Sequence, residues 1–138
     1  MRNPELARDY VHRADARLRA LEVLFEGESW ADVVRESQEI VELALKGLLR
    51  ACGVDPPRMH DVSDALLAEQ DRLPAPVREA LGTLVQISRE LRRDRELAFY
   101  GAEDLTPSSF YRENDAVIAR DSARDVVALV RPHVTAAQ

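Results

Sequence analysis

The chain has 138 residues, 46% of them apolar and 32% charged, which fits one folded domain with a single sizeable core and excludes a disordered polymer. Nineteen basic against 25 acidic side chains give a net charge of −6, so general coating of nucleic acid is excluded and any anion site has to be local. The single cysteine, Cys52, excludes an internal disulfide framework and reads as a small buried hydrophobe. No stretch has the length of a membrane span and MRNPELARDY lacks a signal-like apolar run, so the expected location is the cytoplasm.

Ala, Leu, Glu and Arg are abundant and strand alternation is missing, which predicts helices throughout. The first runs from about Pro4 to Phe25, with Leu6, Tyr10, Ala14, Leu18, Leu21 and Phe25 recurring every three or four residues and Gly27 ending it. Ser29 is the expected N-cap of a second helix, roughly Trp30 to Cys52, with Val34, Val41, Leu45 and Leu48 on its core face. Gly53 and the pair Pro56-Pro57 close it. Ile40 and Leu43 lie off that face, so this helix is expected to be central in a bundle, or covered by a second subunit, or both.

After the connector GVDPPRMHD, a short helix is expected over Val62 to Arg72, with Asp61 as its N-cap. A fourth helix starts near Pro74 or Pro76, turns Val77, Leu81, Leu84, Ile87 and Leu91 inward and ends by Gly101. The loop GAEDLTP leads to a last helix from about Ser108 to Val134, burying Ala116, Ala119, Ala123, Val126, Val127 and Val130, and a frayed tail follows. Long helices with short connections imply an all-α, up-and-down four-helix bundle with one additional short helix, a single domain over residues 1–138.

Chemistry is concentrated in few places. Gln38, Glu42 and Lys46 step by four along the second helix, either as a solvated stripe or as a polar seam in which Lys46 meets an anion. His60-Asp61 has the look of half a metal site, but His12 and His133 lie near the chain ends, outside ligand spacing, so no metal is expected. No nucleophile elbow and no Gly-rich phosphate loop is present, and no cofactor is expected. The segment RRDRELAFYG, from Arg92 to Gly101, sets a cluster of arginines against Phe99 and Tyr100. Arg95 and Tyr100 point about 140° apart on an unbroken helix, so they converge only at a helix end or bend, or through a second subunit.

Taken together, SQEIVELALKGLL, GVDPPRMHDV and RELAFYG resemble the HEPN family of small prokaryotic helical proteins over nearly the whole chain. The elements of the likeness fall on Gln38, Glu42, Lys46, Pro57, His60, Asp61, Arg95, Ala98 and Tyr100. The resemblance implies a homodimer, and a minimal nucleotidyltransferase as partner in a toxin–antitoxin or defence pair. It also implies a metal-independent ribonuclease motif in many members, an Arg followed after four to six residues by a His. Here four residues lead from Arg95 to Tyr100, where those ribonucleases carry His. A phenol with an ordinary pKa near 10 is a poor proton shuttle, although it stacks on bases and donates to phosphate.

The expected function is therefore a noncatalytic module that binds a nucleotide or RNA through Arg92, Arg95, Tyr100 and Lys46 and works with that partner. The alternative is a ribonuclease toxin in which Arg95, Tyr100 and His60 supply an atypical active site. A third reading is a helical adaptor unrelated to nucleic acid. Tyr100 and Tyr111 are the candidate acceptors of a nucleotidyl group from the partner.

Overall fold

The structure is a computed structural model that describes residues 4–56, 58, 61–94 and 106–135 in full and residues 95–100 through their backbone. Its helices begin and end where local chemistry dictates. α1 (Pro4–Glu26) and α2 (Trp30–Ala51) close with the same pair of crossed hydrogen bonds. In α1 the Glu28 N–H donates to the Phe25 carbonyl at 3.0 Å and the Ser29 N–H to Leu24 at 3.1 Å. In α2 Gly53 donates to Arg50 at 3.1 Å and Val54 to Leu49 at 2.8 Å. This motif requires a left-handed residue at its centre. Gly53 supplies it at φ 82°, whereas at the first helix end the position falls on Glu28, φ 57°, one residue after the glycine expected to do it.

Ser29 stands at the N-cap position of α2, but its hydroxyl donates to Asp32 Oδ2 at 2.6 Å instead of accepting from the backbone. Asp61 caps α3 (Val62–Ala68) as expected, accepting the Ser63 N–H at 2.9 Å. The rest of the predicted third helix is a 3₁₀ turn, Gln70–Arg72. The predicted fourth helix breaks at Ala80 into α4 (Ala75–Glu79) and α5 (Leu81–Tyr100). The last one divides as well. Thr106 caps a short α6 (Pro107–Phe110), Tyr111 is extended, and α7 (Glu113–Thr135) starts where the Asp115 carboxylate accepts the Arg112 N–H at 2.9 Å. Two competing caps within ten residues outweigh one continuous helix. Among the described residues none lies in a strand.

α1, α2, α5 and α7 form an up-and-down bundle. Ala7 and Val11 of α1 meet Gly47 of α2, while Arg17 reaches Glu36 at 2.7 Å, so the two helices run antiparallel. Asp15 with Arg131, and Glu22 with Arg124, pair α1 antiparallel to α7. Tyr111, just before α7, meets Asp94 late in α5, which sets those helices antiparallel too. α2 is the central helix: Ile40, Val41, Ala44, Leu45, Leu48 and Leu49 are all buried within the single chain, and Leu43 packs at the edge of the core.

The α7 alanines and valines named from the sequence are all buried, as are Val34, Val41, Leu45 and Leu48 of α2. α1 departs from expectation in its first half. Its core positions there are Ala7 and Val11, each one residue on from Leu6 and Tyr10. The cause is Gly47: a helix that lets α1 approach its backbone selects small side chains at the contact. Cys52, at the end of α2, is half-buried.

Candidate functional site

Gln38, Glu42 and Lys46 follow one line along α2, and the structure turns that line towards α5. Glu42 is its centre. One carboxylate oxygen accepts from Gln38 Nε2 at 3.0 Å, and the other lies 3.3 Å from Lys46 Nζ and 4.0 Å from Arg92 Nη1 of α5. The stripe is thus a seam between two helices, with Glu42 and Lys46 about four-fifths buried at side-chain exposures of 20% and 21%. Two cations share one carboxylate, which leaves the cluster with a surplus positive charge. Gln38 is 5% exposed and its Oε1 has no hydrogen-bond partner. The crevice beside it, between Val41, Ser88 and Leu91, measures about 10 Å³ and takes no more than a water-sized group. The crevice thus has no room for a larger group, and the cations Lys46 and Arg92 stand on the outer side of Glu42.

One turn earlier on α5, Arg89 secures the end of the connector. Its Nε donates to Ser63 Oγ and its Nη2 to Asp64 Oδ1, both at 3.1 Å, and Asp61 Oδ2 lies 4.0 Å away. Asp61 is thereby committed to capping α3 and facing a guanidinium. Among the described residues no group of three or more His, Cys, Asp or Glu side chains is placed to hold a metal ion, and no helix is long and apolar enough to cross a membrane.

Of the site residues expected from the sequence, Lys46 and Arg92 are brought together around Glu42. His60 lies outside the described residues, as do Pro57 and Gly101 and the side chains of Arg95, Ala98, Phe99 and Tyr100. The backbone of α5 stays helical through Tyr100. Arg95 and Tyr100 thus occupy positions about 140° apart around one continuous helix. Sequence reasoning missed Arg89 as the residue that holds the connector, and Glu42 as a carboxylate shared across helices. Arg89 and Arg92 lie one turn apart on α5, but only the packing of α5 against α2 and α3 shows that they face Glu42 and the connector.

A second feature lies on the other flank of α5. A half-open cleft of about 110 Å³ separates α5 from α7, floored by Val34 of α2 and walled by Ile87, Leu91, Ile118 and Ala119. Tyr111 bridges its end. The ring is buried and its hydroxyl donates to the Asp94 carbonyl at 3.2 Å. Burial, then the nearby carboxylates of Asp94 and Asp115, push the phenol up to about 12, with Arg93 partly opposing them. A buried phenol engaged with a backbone carbonyl is not presented to a nucleotidyl-transferring partner.

Comparison with known proteins agrees with this architecture. No curated protein matches the sequence. Among solved structures, TT1696 from Thermus thermophilus superposes with a TM-score of 0.68 at 26% identity, covering 92% of this chain and 97% of its own. ST0689, an archaeal HEPN homologue, gives a TM-score of 0.65 at 22% identity, covering 93% and 97% respectively. The family model for the HEPN domain matches residues 7–133, nearly the whole described bundle, and the chain belongs to the HEPN domain family.

Proposed function

We propose that this HEPN protein is a noncatalytic, homodimeric module that binds the phosphate of a nucleotide or RNA along the α2–α5 seam. In this reading it acts with a minimal nucleotidyltransferase partner in a toxin–antitoxin or defence pair within the cytoplasm. One observation carries the proposal: after four intervening residues from Arg95 the chain has Tyr100, where a ribonuclease of this family has His. The motif therefore lacks the imidazole, the side chain whose ordinary pKa lies near neutrality, and with it the usual proton carrier of general acid–base cleavage. Anion recognition does not need one. Lys46 and Arg92 share Glu42, and Arg95 holds the backbone position one helical turn beyond Arg92 on α5. A composite site from Arg95 and Tyr100 needs a second copy, because no bend of α5 separates them.

The test is a metal-free incubation of the purified protein with tRNA and rRNA, with Arg95→Ala alongside, followed by binding measurements with AMP and a short single-stranded RNA. Uncut RNA is expected, together with salt-sensitive binding that weakens about tenfold in Lys46→Ala or Arg92→Ala. Cleavage abolished by Arg95→Ala makes the protein a ribonuclease with an atypical site. Neither cleavage nor binding leaves a helical adaptor.

A further inference from the structure

The cleft between α5 and α7 takes no part in the anion seam, which lies on the opposite flank of α5, and its chemistry is the reverse. Its walls set apolar Ile87, Leu91, Ile118 and Ala119 among polar and charged groups, and Ile118 is 58% exposed. Phe110, 44% exposed, extends the apolar lip, its ring packed edge-on at 4.9 Å against Tyr111. Among the described residues, Glu90, Asp94 and Asp115 stand around the walls, with Arg93 as the cation lining the cleft. Arg93 and Asp94 pair with each other, Nε to Oδ1 at 3.5 Å, which leaves the carboxylates of Glu90 and Asp115 as a surplus of two negative charges among the described lining residues. The Tyr111 phenol at the end of the cleft is raised first by burial and then by the carboxylates of Asp94 and Asp115.

Size and charge together select the occupant. A volume of about 110 Å³ falls well below the range of roughly 300–1,000 Å³ typical of small-molecule pockets. It matches one ring or one branched aliphatic side chain, the scale of a single anchoring residue at a protein interface. Nucleic acid is repelled by the surrounding carboxylates. A second copy of this chain meets the same acidic face if it docks symmetrically, since a two-fold interface sets identical patches against each other.

We infer that the α5–α7 cleft is a docking site for a basic segment of a partner protein, one that inserts an aromatic or branched aliphatic side chain between Ile87 and Ile118 and sets flanking Arg or Lys residues against Glu90, Asp94 and Asp115. The site goes beyond the anion-binding reading and does not depend on it, so loss of nucleotide binding leaves it standing.

The experiment follows amide and methyl resonances of the full-length protein during titration with three capped tripeptide amides: Arg-Phe-Arg, Glu-Phe-Glu and Arg-Gly-Arg. Arg-Phe-Arg at millimolar concentration is expected to shift Ile87, Ile118 and Ala119 and leave Lys46 and Arg92 unmoved. The other two peptides are expected to do neither. Glu90→Lys, on an exposed side chain, should weaken the response about tenfold. Ile118→Asp should abolish it although the change adds negative charge, which separates apolar insertion from simple attraction. Equal binding of Arg-Gly-Arg, or of Glu-Phe-Glu, overturns the proposal. So does an absence of shifts at these residues. Self-association that Ile118→Asp abolishes overturns it in favour of a contact between copies.

Discussion

α2 is flanked by two unlike seams. Towards α1 and α7 the bundle is shut. Gly47 lets α1 close onto α2, Arg17 pairs with Glu36, and Glu22 and Asp15 tie α1 to Arg124 and Arg131 of α7. Arg120 adds its guanidinium over the Phe25 ring at 3.8 Å. Towards α5 the bundle is unfinished. The α2–α5 seam carries charges shared by Glu42, Lys46 and Arg92, and the α5–α7 gap stays open. The two sides thus differ in packing: α1 and α7 close onto α2 through paired side chains, whereas α5 borders the small crevice at Gln38 on one flank and the half-open cleft on the other.

Matched truncations should expose this division most strongly. Leu21 of α1 is fully buried, whereas Ile87 of α5 is partly exposed on the cleft wall. Leu21→Ala is expected to cost about 3 kcal/mol in urea unfolding, transfer and cavity terms together. Ile87→Ala should cost about 1 kcal/mol, because its cavity already exists. Equal losses would mean that α5 is as integral to the core as α1.

The helix contact at Gly47 gives a smaller and sharper test. Alanine in mid-helix normally stabilises by about 1 kcal/mol over glycine. Here a Cβ would lie 3.2 Å from the Ala7 carbonyl oxygen and from Tyr10 Cβ, and 3.3 Å from Val11 Cγ2. None of these atoms ends a flexible side chain, so α1 as a whole must move. Gly47→Ala should therefore destabilise by about 1–2 kcal/mol, overpacking exceeding propensity. A stabilised variant would show that the α1–α2 seam yields easily and would remove the contrast with α5.

How far the sequence carried this picture depends on whether the deciding interaction was local. The buried face of α7 was legible because six small or branched residues repeat at helical spacing within one element. The cap at Asp61 was legible because a side chain and its own next turn decide it. The rotated face of α1 was not, since the reason that Ala7 and Val11 replace Leu6 and Tyr10 is a glycine on another helix. The division of the last helix was hidden by its strong periodicity, although Thr106 and Asp115 both carried cap signals. At the candidate site, spacing revealed the line from Gln38 to Lys46 but gave no hint that Arg92 would reach Glu42 from α5. The cleft was invisible for the same reason: its lining comes from three helices and the residue between α6 and α7.

Tyr111 allows the open side to be weakened by pH alone. Its phenol ionises at about 12 in the fold against an ordinary 10, because burial and the carboxylates of Asp94 and Asp115 disfavour the phenolate. A raised folded-state pKa contributes stability that is fully present below about pH 10 and is lost as pH rises towards 12. The complete shift would correspond to about 2–3 kcal/mol, but the ring borders an open cleft and solvent screening reduces the expected loss to about 1 kcal/mol. Tyr111→Phe should start slightly less stable at neutral pH, having lost the hydrogen bond to Asp94, and its stability should fall less between pH 10 and 12. Other groups titrate equally in both proteins, so the difference between the two pH curves isolates Tyr111. Parallel curves would mean that the phenol is already free in the native state, and that α7 is not held to α5 through the Asp94 carbonyl.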